Sequence, residues 1–132
     1  MIPSHIEHIG IAVKNLDTAR KYYEEVLGLT CYLIEEVPDQ QVRTAFYKVG
    51  PTKIELLEST SPTGPVAKFI EKRGEGIHHI AFAVKQLQEK LDEVAEKGIR
   101  LIDTEPRKGA EGLHIAFLHP KSTFGVLTEF CE

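Results

Sequence analysis

At 132 residues, with 42% apolar and 27% charged side chains, the chain has the size and composition of one ordinary globular domain, able to bury a core without disulfides or a structural metal. Its net charge of −4, with no basic stripe to offset it, argues against a nucleic-acid partner but leaves room for an anionic small molecule on a local basic rim. Cys31 and Cys131 lie far apart and show no metal spacing, Met1-Ile2-Pro3-Ser4 carries no signal pattern, and no apolar run reaches the roughly 18 residues of a membrane span. Free thiols in a cytoplasmic protein with no membrane partner are therefore expected.

The first strand is IEHIGIAV, residues 6–13. Strand alternation puts Ile9, Ile11 and Val13 on one face and His8, Gly10 and Ala12 on the other. A helix is predicted over residues 16–27, with Leu16, Ala19, Tyr22, Tyr23, Val26 and Leu27 at helical spacing, Asn15 or Asp17 as cap, and Gly28 in the left-handed position after its end. Strands are predicted at 31–37, 42–49 and 53–58. A short helix starts at Pro65 and stops before Gly74, burying Val66, Phe69 and Ile70. The second half runs as a strand IHHIAFAV (77–84), a helix using Leu87, Leu91, Val94 and Ala95 and closed by Gly98, and strands at 99–103, 113–118 and 125–131. Pro38-Asp39, Gly50-Pro51, Ser61-Pro62, Pro106 to Gly112 and His119-Pro120 mark loops.

These halves are one βαβββ unit written twice. An offset of 71 places His79 on His8, Val84 on Val13 and Leu87 on Leu16; Gly98 follows Gly28 at 70, and Glu129 follows Glu55 at 74. The fold class expected is α+β: one domain over residues 1–132, with module one at about 4–60, a linker helix at about 65–73 and module two at about 76–131, forming a concave mixed sheet around a central metal site. In the second copy His79 shares its face with Ala81 and Ala83, so in both halves small residues follow the histidine. Glu55 and Glu129 each interrupt an apolar strand, and a buried carboxylate is costly unless paired or bound to a metal. Taken singly, a strand histidine is commonly a core or surface residue, and a strand glutamate commonly points to solvent. Four such residues at equivalent places of a repeat fit a divalent ion with open positions for water or substrate. Nitrogen and oxygen donors permit cobalt, manganese, nickel, zinc or magnesium. His78 falls on the wrong face for this site and is expected to be structural or to support the ligands from behind; His5 is expected to be exposed, and His119 to sit in a loop.

The segments HIGIAVKNLDTARKYYEEVLGL (8–29), PVAKFIEKRGEGIHHIAFAV (65–84), KGIRLIDTEPRKGAEG (97–112) and IAFLHPKSTFGVLTEF (115–130) resemble the methylmalonyl-CoA epimerase family of the vicinal oxygen chelate superfamily. The resemblance implies metal ligands at His8, Glu55, His79 and Glu129, an acyl-CoA substrate, and a homodimer. It also implies inversion of (R)- and (S)-methylmalonyl-CoA through a metal-stabilised enolate, with Glu55 and Glu129 as candidate bases. Some members of the family are thought to use a glutamate where this chain has Thr44, so that base does not carry over. Lys121 and Ser122, in the loop before the last strand, are candidates for the substrate carboxylate, and Arg107 for CoA phosphates. Two other activities share the framework: the lactoylglutathione lyase reaction of glyoxalase I, and metal-free small-molecule binding or resistance. The His119-Pro120-Lys121-Ser122 loop speaks against the first, and the intact four-residue donor set against the second.

Overall fold

The computed structural model describes residues 2–132. They form two compact units, one of His8–His78 and the other of residues 2–7 with His79–Glu132. The class is α+β, as expected, and each unit carries four strands hydrogen-bonded edge to edge. Among the described residues no helix is long and apolar enough to cross a membrane.

In the His8–His78 unit, β1 (His5–Ala12, entering this unit at His8), α1 (Leu16–Lys21), β2 (Cys31–Val37), β3 (Val42–Val49), β4 (Thr52–Ser59) and α2 (Pro65–Arg73) follow in order. The strands lie β2-β3-β4-β1, with β1 parallel to β4 and the other pairs antiparallel. Apolar residues of one sheet face, including Ile11, Val13, Ile54 and Leu56, bury against Leu16, Ala19 and Tyr23 of the helical layer. The Asn15 side chain accepts the Thr18 backbone N–H at 2.8 Å and caps α1, while Gly28 takes φ +74° beyond its end. The predicted helix does not stay α throughout. Tyr22–Val26 widens into a π turn closed by the Leu27 N–H on the Tyr22 carbonyl at 3.1 Å. The wider turn rotates the apolar stripe, so Tyr22, Val26 and Leu27 are exposed rather than buried.

In the other unit, β5 (Gly76–Ala83, entering at His79), α3 (Leu87–Glu96), β6 (Arg107–Lys108), β7 (His114–Leu118) and β8 (Thr128–Cys131) give the order β5-β8-β7-β6. Its core joins Phe82 and Val84 to Leu87, Leu91 and Val94 of α3, whereas Ala95, expected inside, faces solvent. Two strand predictions need correction. Residues 99–103 make only an isolated bridge, Leu101 to Leu118, because the N–H groups of both Ile102 and Asp103 converge on the Phe117 carbonyl and the Asp103 side chain takes the Phe117 N–H. β8 starts at Thr128 rather than 125, because Phe124 and Gly125 occupy left-handed backbone at φ +58° and +86° and cannot extend a strand. Conversely, Arg107-Lys108, predicted in a loop, pairs with Ile115 and His114.

Candidate metal and proton-transfer residues

Each unit holds one histidine–glutamate pair. In the His8–His78 unit the Glu55 carboxylate lies 3.1 Å from His8 Nδ1. In the other unit the Glu129 carboxylate lies 3.4 Å from His79 Nε2. All four side chains are buried.

Strand register explains why both pairs form. Gly10, two residues after His8, sits directly opposite Glu55 in the parallel β1–β4 ladder. Ala81, two residues after His79, sits directly opposite Glu129 in the parallel β5–β8 ladder. On their other sides the glutamates face Phe46 and Phe117 across antiparallel ladders. Directly paired residues share a sheet face, so each carboxylate stands between a small residue and a phenylalanine. The absent side chain at Gly10 and the methyl of Ala81 let histidine and glutamate meet diagonally. The His79 ring also meets the Phe117 ring edge-on, with centroids 5.5 Å apart.

The donors are imidazole nitrogen and carboxylate oxygen, already desolvated by the fold, and such a set fits a divalent ion of borderline softness. An imidazolium–carboxylate pair at each place is the other way to satisfy the same groups.

Thr44 lies two residues before Phe46 on β3, buried, and therefore on the Glu55 face. Its hydroxyl stays neutral, so it is not a proton-abstracting base. His78 points away from the His79 face and meets the Phe69 ring of α2 at 5.0 Å. Burial in this apolar contact pushes its pKa down to about 4, so the ring is neutral at physiological pH. His5 and His114 are exposed.

The predicted substrate contacts scatter over two places. Lys121 is exposed in the turn Pro120–Ser122, where its N–H bonds the His119 ring at 3.1 Å. Burial, and the positive charges of Arg100 and Lys121, hold the His119 pKa below the ordinary histidine value. The Ser122 hydroxyl accepts the Arg100 backbone N–H at 2.9 Å and braces this loop, leaving its own proton to donate. Arg107 stacks over the Phe117 ring at 5.5 Å, and its Nε lies 3.1 Å from Asp103. The same ring touches His79.

Sequence reasoning passed over Cys131. Its thiol contacts the Glu129 carboxylate at 2.6 Å in the buried interior. The signal was present, since residues 129 and 131 of a strand share a face.

Known proteins resemble this chain over nearly its whole length. A family model for the glyoxalase/bleomycin resistance protein/dioxygenase superfamily matches residues 7–117. An uncharacterized protein of Bacillus subtilis is 46% identical over 129 residues, covering 98% of this chain and 92% of that one. An ethylmalonyl-CoA/methylmalonyl-CoA epimerase of Cereibacter sphaeroides is 37% identical and covers 94% of both chains. The solved structure of a methylmalonyl-CoA epimerase in complex with methylmalonyl-CoA and ammonium superposes with a TM-score of 0.95 at 38% identity, covering 98% of this chain and 94% of that one.

Proposed function

The chain belongs to the glyoxalase/bleomycin resistance protein/dioxygenase superfamily, and from that premise we propose that it is an isomerase that interconverts (R)- and (S)-methylmalonyl-CoA. The observation that carries the proposal is the doubled register: each half holds a buried glutamate against a histidine, which supplies two carboxylates able to move protons. The activity of the epimerase relatives supports the substrate.

The carbon between the thioester and the carboxylate of the substrate bears a weakly acidic proton. Inversion requires removal on one face and return on the other. At least one of Glu55 and Glu129, one from each half, would serve as the base while not bound to the ion, since Thr44 offers no base. His8 with Glu55, and His79 with Glu129, offer the ligands that would hold a divalent ion. Such an ion, when bound, would supply Lewis-acid stabilisation of negative charge developing on the substrate. Phe46 and Phe117 lie directly opposite the glutamates across the antiparallel ladders and line the same sheet faces. Lys121 and Ser122 would hold the substrate carboxylate and Arg107 the CoA phosphates. The protein would act in the cytoplasm as a homodimer.

The test is exchange of the substrate α-proton with deuterium oxide. Glu129→Gln and Glu55→Gln should each slow exchange by about 100-fold or more, the usual worth of a positioned acid–base group. Exchange at the wild-type rate in both variants would sink the assignment. Isomerisation of the methylglyoxal–glutathione hemithioacetal, with no exchange on methylmalonyl-CoA, would transfer the site to lactoylglutathione lyase chemistry.

A further inference from the structure

Cys131 sits two residues beyond Glu129 on β8, so both side chains rise from the same sheet face. Both are buried, at 1% and 3% exposure. The thiol sulfur lies 2.6 Å from Oε2 of the carboxylate, while Oε1 of the same carboxylate is the oxygen turned toward His79. One carboxylate therefore spans two neighbours, an imidazole on one oxygen and a thiol on the other. The sulfur is itself fixed by packing among Ala81, Ile115 and Phe117. The repeat sharpens the point: Leu57 stands at the position of Cys131 in the first half, two residues beyond Glu55, and has no proton to give.

From this geometry we infer that Cys131 is a positioning residue, whose S–H donates to Oε2 of Glu129 and orients Oε1 toward His79 and the ion the pair would hold. The inference rests on the reading of Glu129 as a ligand. Groups that orient a metal ligand from behind typically change affinity by about 10–100-fold when removed. The thiol also makes the two halves unequal, since Glu129 has a donor on its strand where Glu55 has an alkyl chain.

The hydrogen bond is tested first in metal-free protein. In a Cys31→Ser background only the Cys131 thiol contributes an S–H stretching band in the infrared. That band should lie at the lowered frequency of a thiol bonded to a carboxylate and should move upward in Glu129→Gln. A band at the position of an unbonded thiol, indifferent to Glu129→Gln, overturns the inference whatever the metal does. Cobalt(II) then serves as the probe ion. Cys131→Ala should bind it about 10-fold more weakly, with an altered visible absorption envelope, and Cys131→Ser should recover most of both. Ile115→Val, which trims the same apolar cluster without touching the donor, should change neither. Wild-type cobalt affinity and spectrum in Cys131→Ala, alongside loss of binding in Glu129→Gln, reduces the thiol to packing. Wild-type cobalt binding in Glu129→Gln instead overturns the ligand reading, with the infrared band still deciding the hydrogen bond.

Discussion

The Glu132 carboxylate accepts the backbone N–H of Leu87 at 2.9 Å, as the Glu58 carboxylate accepts that of Leu16 at 2.9 Å. Each half thus ends its last strand with two glutamates three residues apart, at 55 and 58 and at 129 and 132. Three residues is an odd step along a strand, so the two carboxylates leave the sheet on opposite faces. The first goes to a histidine, and the second caps the first turn of its own half's helix, satisfying N–H groups that have no partner within that helix.

Glu132 also accepts the Gln86 N–H at 2.7 Å, and these two backbone donors hold its carboxyl below the ordinary carboxylate range. A depressed folded-state value stabilises the protein above the unfolded value, and that stability is lost as pH falls through the folded one. Glu132→Ala should therefore lower stability at neutral pH by about 1 kcal/mol or less, the lower end of the capping range because the group is exposed. The gap between wild type and variant should close in acid, below the ordinary carboxylate range. Urea unfolding at several pH values checks both statements.

Gly10 is the space in which Glu55 reaches His8. Gly10→Val would put a branched side chain on that face, directly opposite Glu55. The fold should persist by far-UV circular dichroism, while cobalt affinity falls by at least about 10-fold, as for a displaced ligand. Unchanged cobalt binding would show that the pair does not need this gap.

Phe124 is wholly exposed and adopts φ +58°, a conformation that costs a side chain about 1 kcal/mol or more. Its neighbours hold it there: the Gly125 N–H bonds the Pro120 carbonyl at 2.8 Å, and the Val126 N–H bonds the Thr123 carbonyl at 3.3 Å. Phe124→Gly should raise the melting temperature by about 2–4 °C, provided relief of strain outweighs the freedom gained by the unfolded chain. A lower melting temperature would mean that the freedom glycine gives the unfolded chain outweighs the relieved strain.

Tyr47 is fully buried, donates its hydroxyl to Glu24 at 2.8 Å, and stacks on Tyr23 with centroids 5.8 Å apart. Arg20 grips the same carboxylate at 2.7 Å. Burial, and then the Glu24 carboxylate, raise the Tyr47 pKa above the ordinary tyrosine value. In ultraviolet titration its tyrosinate absorbance should appear only at the alkaline end. Tyr47→Phe should remove that late step and cost about 1 kcal/mol in stability, the net worth of one hydrogen bond.

What the order of residues determined by itself was the repeat and its chemistry. Alternation along β1 and β5 set His8 and His79 on a face with small residues, and similar offsets, 71 for the histidines and 74 for the glutamates, matched Glu55 with Glu129, because strand faces and repeats depend on local spacing. The same local logic found α2 from Pro65 to the residue before Gly74. Folding alone decided the features that depend on where a backbone donor is spent. Residues 99–103 are apolar enough for a strand but give their N–H groups to one carbonyl and use Asp103 in place of a ladder bond. Residues 22–27 have helical spacing, yet a π turn carries their apolar side chains outward. The partner of a carboxylate is likewise a matter of register across strands: it brought Gly10 opposite Glu55 and Ala81 opposite Glu129, and it sent Glu58 and Glu132 to helix ends. Cys131 stands between these cases. Its face was readable from its distance to Glu129, but only the packed interior turns its sulfur onto that carboxylate.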